Sequence, residues 1–142
     1  MPSECDFPAF NATSPEIAGL LRGAKTIAVV GLSPKPDRPS HSVSAYMQAQ
    51  GYRIIPVNPG HAEILGEKVY KSLLEVPEPV DIVNIFREPA AVPEIVDQAI
   101  QMKAKAIWMQ EGIVHNEAAE KARAAGLLVV MNKCIYKEHV KL

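Results

Sequence analysis

Cysteine is scarce in this chain. Cys5 and Cys134 are the only two in 142 residues, too few for a disulfide framework. The N-terminus, Met1-Pro2-Ser3-Glu4, lacks the basic-then-apolar order of a signal peptide. Both thiols are therefore expected to be reduced, in a cytoplasmic protein. No apolar run approaches the roughly eighteen residues of a membrane helix, so no membrane partner is expected. A surplus of basic residues is also missing. Fifteen Lys and Arg stand against sixteen Asp and Glu, a formal net charge of −1, which argues against a nucleic-acid partner. The histidines, His41, His61, His115 and His139, do not combine with the cysteines at metal-ligand spacing. There is no GxxxxGK[ST] phosphate loop and no GxSxG nucleophile elbow. No convincing catalytic set emerges.

What is present is an ordinary globular composition, 48% hydrophobic and 22% charged. The length suits one domain. The reading places an N-terminal arm over residues 1–13 and a single domain over 14–142. Ser14-Pro15-Glu16 fits an N-cap, a first-turn proline and a dipole-compatible acid, opening a helix that Gly23 can end. Five near-continuous apolar runs follow, at Thr26–Val30, Arg53–Val57, residues 81–86, Ala106–Met109 and residues 127–131. Such runs suit strands covered on both faces. Amphipathic helical stretches lie at 42–50, 88–103 and 116–125. Residues 60–79 read as an irregular crossover with one helical turn near 72–76. The alternation predicts an α/β fold, a single doubly wound parallel Rossmann-like sheet of five strands in order 3-2-1-4-5, with an N-terminal helix.

Ligands of such sheets sit beyond the carboxyl ends of the strands. After the first strand, the sequence runs from Val30-Gly31-Leu32-Ser33 through Lys35 and Arg38 to Pro39-Ser40. Gly31 permits a tight turn, Ser33 offers a hydroxyl, and Lys35 and Arg38 bring positive charge. Ser40 is expected to cap the next helix, whose free N–H groups would face an anion. A plain loop with solvated charges is the alternative. The dinucleotide fingerprint has glycines at its first, third and sixth places; here these are Gly31, Ser33 and Pro36. After the second strand, Val57-Asn58-Pro59-Gly60-His61 has no carboxylate for a ribose hydroxyl, which suits a ribose carrying a phosphate. His61 is either a phosphate contact or an exposed turn residue. Phe86 lines the ligand or belongs to the core. Arg87 reaches the ligand or pairs with Glu88. Gln110 and Gly112 border the cleft, Glu111 is the carboxylate at its mouth, and Cys134 has Lys133 as neighbour.

These segments together resemble a known family. The motifs are the first loop, Pro56-Val57-Asn58-Pro59, Gly66 with Tyr70 and Ser72-Leu73, and Val80-Asp81-Ile82-Val83-Asn84-Ile85-Phe86-Arg87. Trp108-Met109-Gln110-Glu111-Gly112 and Asn132-Lys133-Cys134 with Glu138-His139 complete the set. Over residues 15–142 the chain resembles the small stand-alone CoA-binding domain proteins, similar to the N-terminal domain of the succinyl-CoA synthetase α subunit. The resemblance implies a Rossmann-like fold holding coenzyme A. Its phosphates would lie on residues 31–40, including Leu32, with Val57, Asn58 and Pro59 bordering the adenosine. Phe86, Arg87, Gln110 and Gly112 would line the remaining cleft. Lys35, Arg38 and His61 fit the ligand's charge. Relatives often carry lysine just after the Asn-Pro pair, where this chain has Gly60-His61. The synthetase's phosphohistidine domain and nucleotide-grasp subunit are not accommodated in this length, so ligase activity is not implied. The expected function is a non-catalytic CoA or acyl-CoA binder acting as carrier, sensor or partner subunit, with a protein partner or homodimer open. The alternative is a nucleotide-cofactor enzyme, NAD(P)-dependent or acyl-transferring, using Glu111 or Cys134. A third reading is a mixed disulfide between Cys134 and the CoA thiol.

Overall fold

The computed structural model describes residues 7–142; Cys5 lies outside them. The chain runs α1 (Ser14–Gly23), β1 (Thr26–Val30), α2 (Pro39–Ala49), β2 (Arg53–Val57), β3 (Glu63–Ile64) and β4 (Glu67–Lys68). It continues β5 (Ile82–Ile85), α3 (Val92–Gln101), β6 (Ala106–Met109), α4 (Asn116–Ala124), β7 (Leu128–Val130) and α5 (Ile135–Val140). The main sheet is five-stranded and entirely parallel. Side-chain alternation splits the core into two layers. Ala28, Val30, Val83, Ile85, Ile107 and Met109 face α3 and α4 through Val92, Val96, Ala99, Ala119 and Ala122. Ile27, Val29, Ile82 and Trp108 face the layer of α1, α2 and α5 through Ile17, Leu21, Met47 and Ile135. Each strand is thus buried on both faces, which is why the strands read as continuous apolar runs. No helix among the described residues is long and apolar enough to cross a membrane.

The strand order differs from the expected one. The sheet is β2-β1-β5-β6-β7, so the third main strand lies beside the first, not outside the second. Two features enforce this. Pro56 sits inside β2 and has no N–H to give a ladder, which confines it to an edge. Its carbonyl instead accepts from Tyr70 N at 3.0 Å, while Asn58 N donates to Tyr70 O at 2.9 Å, so residue 70 occupies that edge. At the other end of the crossover, the Asp81 carboxylate accepts from the N–H groups of Lys25 (2.7 Å) and Thr26 (3.1 Å). That pins the start of β5 beside the start of β1.

Smaller departures have local causes. The α1 N-cap is Thr13, one residue before the expected Ser14. Thr13 and Glu16 form a reciprocal capping box, with Glu16 N donating to Thr13 Oγ1 (3.2 Å) and Thr13 N to Glu16 Oε1 (2.8 Å). Residues 88–103 begin as a short 3-10 turn at Pro89–Ala91 before α3 proper. The crossover, expected to be irregular, contains the β3–β4 hairpin, turned by Leu65 and Gly66 with φ of 56° and 75°. Positive φ at both central positions fits the twist of a two-residue hairpin. The predicted turn near 72–76 is the 3-10 turn Leu73–Glu75. Phe7 and Ala9 bond Asn116 at the start of α4, and Asn11 and Ala12 lie along the open side of β7. Ala12 N donates to Val129 O at 3.2 Å, and the Asn11 amide bonds both N–H and C=O of Met131.

Candidate functional site

The observed order puts the switch of chain direction between β1 and β5. The loop after β1 leads to one face of the sheet and the loop after β5 to the other, and the crevice between them is the ligand position of such folds. Gly31 leaves β1 with φ of 90°. A β-carbon there would lie 2.5 Å from Phe86 O and 3.1 Å from Arg87 Cδ, so the two loops approach as closely as backbone permits.

The β1–α2 loop is held by its own groups more than expected. Gly31 N donates to Val57 O (3.0 Å) and Arg38 N to Lys35 O (3.1 Å). Ser33 N donates to Ser40 Oγ (3.0 Å), and Lys35 N to Ser33 Oγ (3.1 Å). Ser40 is therefore not the helix cap. Arg38 occupies the N-cap position with no side-chain cap bond, Pro39 opens α2, and buried Ser40 ties the loop back to Ser33. Most loop amides are spent on shaping the loop, and the attraction for an anion falls to the side chains and the start of α2. Leu32 also departs from its expected role. Its side chain is fully buried in the core. It acts through its carbonyl, which accepts from Asn58 Nδ2 at 3.0 Å.

Three adjoining cavities open at this end of the sheet. The first, about 460 Å³, is lined by Gly31, Ser33, Lys35, Arg38, Ser40, Asn58, His61 and Phe86 among others. The second, about 610 Å³, shares Gly31 and Asn58 with it and adds Val57, Pro59, Lys71, Ser72, Arg87, Glu94 and Gln98. The third, about 500 Å³, joins the first at Phe86 and Pro39 and reaches Val43, Glu88, Gln110, Gly112, Ile113 and Cys134. Every candidate residue except Leu32 lies on one of these walls. Lys71, Ser72, Glu94 and Gln98 were not anticipated as wall residues, although Ser72 belongs to a motif of the resemblance. The one cue to the first two was hidden in the crossover, where Tyr70 continues the sheet.

Charge is unevenly spread over the cleft. Lys35, Arg38 and Lys71 are exposed and have no carboxylate within ion-pair distance among the described residues. Arg87 both lines the cleft and pairs with Glu88 at 2.6 Å. Glu111 is held by Lys137 Nζ at 2.9 and 3.2 Å, and this pairing keeps the Lys137 ammonium above its ordinary range. At the far end the walls are braced. Trp108 Nε1 donates to Lys133 O (2.7 Å), Ile135 N donates to Gln110 Oε1 (3.0 Å), and Gly112 N donates to Asn132 Oδ1 (2.7 Å). Cys134 is buried there as the N-cap residue of α5, a helix the sequence reading missed. The chamber therefore joins a cationic mouth to a more apolar end, which fits a long ligand with an anionic head.

Known proteins share this architecture. A hypothetical protein from Pyrococcus horikoshii OT3 superposes with a TM-score of 0.91 at 40% identity, over 96% of each chain. The uncharacterized protein YneT of Bacillus subtilis is 44% identical over 129 residues, covering 91% of this chain and 96% of that one. The alpha subunit of ADP-forming acetate–CoA ligase I from Pyrococcus furiosus is 36% identical over 89 residues. The match spans 58% of this chain but 19% of that subunit. The family model for the CoA binding domain matches residues 25–140, taking in every wall of the cleft just described. This chain therefore belongs to the CoA binding domain family.

Proposed function

We propose that this chain binds coenzyme A or an acyl-CoA without transforming it, and serves as a carrier, a sensor or a partner subunit. The observation that carries this reading is the pair of cations Lys35 and Arg38, unpaired among the described residues, at the mouth of a cleft that continues past Phe86 and Pro39 to an end lined by Val43 and Ile113. A pyrophosphate fits the first region and a pantetheine arm the second. Charge-assisted contacts to phosphate are among the stronger hydrogen bonds available to a protein. The match of 58% of this chain to the acetate–CoA ligase subunit supports the same ligand. An enzymatic role has weaker support, because the Glu111 carboxylate is paired with Lys137.

Thermal melting with CoA, dephospho-CoA and NAD tests the proposal. A ligand selective for the folded state stabilises by RT ln(1 + [L]/Kd), about 2.7 kcal/mol at a hundredfold excess over Kd. CoA is expected to raise the melting temperature in a saturable way, and NAD to leave it unchanged. A CoA response no larger than that of NAD overturns the proposal. So does turnover of an acyl-CoA that disappears in Glu111→Gln or Cys134→Ser.

A further inference from the structure

The first cavity carries the loop cations, yet the second is the larger and has a cation of its own. Its position follows from the edge of the sheet. Tyr70 is bonded between Pro56 and Asn58 as a single parallel strand position outside β2. Residues after Tyr70 therefore leave the sheet at the same carboxyl edge as residues after β2. Lys71 and Ser72 emerge level with Asn58 and Pro59, and all four line the 610 Å³ cavity. Ser72 precedes a 3-10 turn without a side-chain capping bond, so its hydroxyl is not spent on that turn. Lys71 has no acid within ion-pair distance among the described residues. The other charged groups on these walls are Arg87, already paired with Glu88, and Glu94 of α3. His61 opens onto the neighbouring cavity instead.

We infer that Lys71, with Ser72 beside it, receives the 3′-phosphate of the ligand's adenosine and sets the preference for CoA over its dephospho form. The inference rests on the CoA-binding reading above. The segment after β2 offers no lysine and no carboxylate, only Asn58-Pro59-Gly60-His61. Asn58 and Pro59 share the lining of one cavity with Lys71 and Ser72, so a ribose lying against them would turn its phosphate toward Lys71. A phosphate monoester carries more charge than a diester and is the group that a point-charge ammonium holds well. Glu94 disfavours the anion near α3 and leaves the Lys71 wall as its place.

Isothermal titration of the full chain with CoA and dephospho-CoA gives the test. The wild type is expected to bind CoA about tenfold or more tightly than dephospho-CoA, a step of roughly 1.4 kcal/mol. K71A should erase that preference while leaving dephospho-CoA affinity intact, which also reports that the variant is folded. K71R should keep the preference. R38A should weaken both ligands alike, since both carry the pyrophosphate. Equal wild-type affinity for the two ligands overturns the inference, as does a K71A variant that keeps the preference or loses both ligands equally. If the wild type binds neither ligand, the CoA reading falls first and this inference with it.

Discussion

Gly31 and Phe86 are neighbours across the crevice, and a β-carbon on Gly31 would stand 2.5 Å from the Phe86 carbonyl oxygen. The opposing atom belongs to backbone and cannot swing away. The φ of 90° adds a second reason for glycine here. G31A is therefore expected to cost about 2–3 kcal/mol, combining left-handed strain with a displaced loop. Urea denaturation should show a lower midpoint at nearly constant slope. An unchanged midpoint would mean that the two loops part freely.

Asn58 joins the loops on the other side. Its Nδ2 donates to Leu32 O at 3.0 Å and its Oδ1 accepts from Gly60 N at 3.0 Å. Aspartate keeps the acceptor but has no donor when ionised, and it turns a carboxylate oxygen toward a carbonyl. N58D is expected to destabilise by about 1–3 kcal/mol, the cost of an unmet buried partner. It should also weaken CoA, because a negative charge enters a cleft shaped for anions. A variant of native stability with weakened CoA would show that the Asn58–Leu32 bond contributes nothing to the fold.

Arg38 carries the phosphate reading. It ends the loop as the N-cap residue of α2, exposed and without an acidic partner among the described residues. R38A is expected to weaken CoA by about 1.5–3 kcal/mol, the range for a hydrogen bond to a charged group. Titration at low and high salt should show a shallower salt dependence in the variant than in the wild type, since exposed charge is screened. A loss of only a few tenths of a kcal/mol would mean that Arg38 faces solvent alone.

The class of fold was legible because strands buried on both faces leave near-continuous apolar runs. These are Ile27-Ala28-Val29-Val30, Ile82-Val83-Asn84-Ile85 and Ala106-Ile107-Trp108-Met109. The strand order was misread although its cue was present, for Pro56 marks β2 as an edge. The candidate wall residues were found because a parallel sheet gathers its post-strand loops at one end. Lys71 and Ser72 escaped because one bonded residue, Tyr70, places them there, and a single residue has no periodicity. The self-bonding of Ser33 and Ser40 is likewise a tertiary outcome, since a serine near a helix start reads first as a cap. Helix α5 spans six residues, too few for its amphipathic pattern to stand out.

Asp81 provides the last prediction, and it concerns pH. Burial alone would raise its carboxyl pKa. The N–H groups of Lys25 at 2.7 Å and Thr26 at 3.1 Å, with the Lys105 ammonium at 3.2 Å, outweigh burial and hold it below the usual carboxylate range. A folded pKa lower than the unfolded one means that folding favours the ionised form. The resulting stability is complete above the unfolded value, about 3.9, and is lost as the pH falls through the lower folded value. D81A should therefore be less stable than wild type by about 1–2 kcal/mol near neutrality, from the loss of bonds to a charged acceptor. The gap should close as acid protonates the wild-type carboxylate. Urea denaturation of both proteins, stepped from neutral pH to below about 4, measures the gap directly. A gap that stayed constant through the acid range would show that Asp81 acts by packing alone, and that the start of β5 is not tied to β1 by charge.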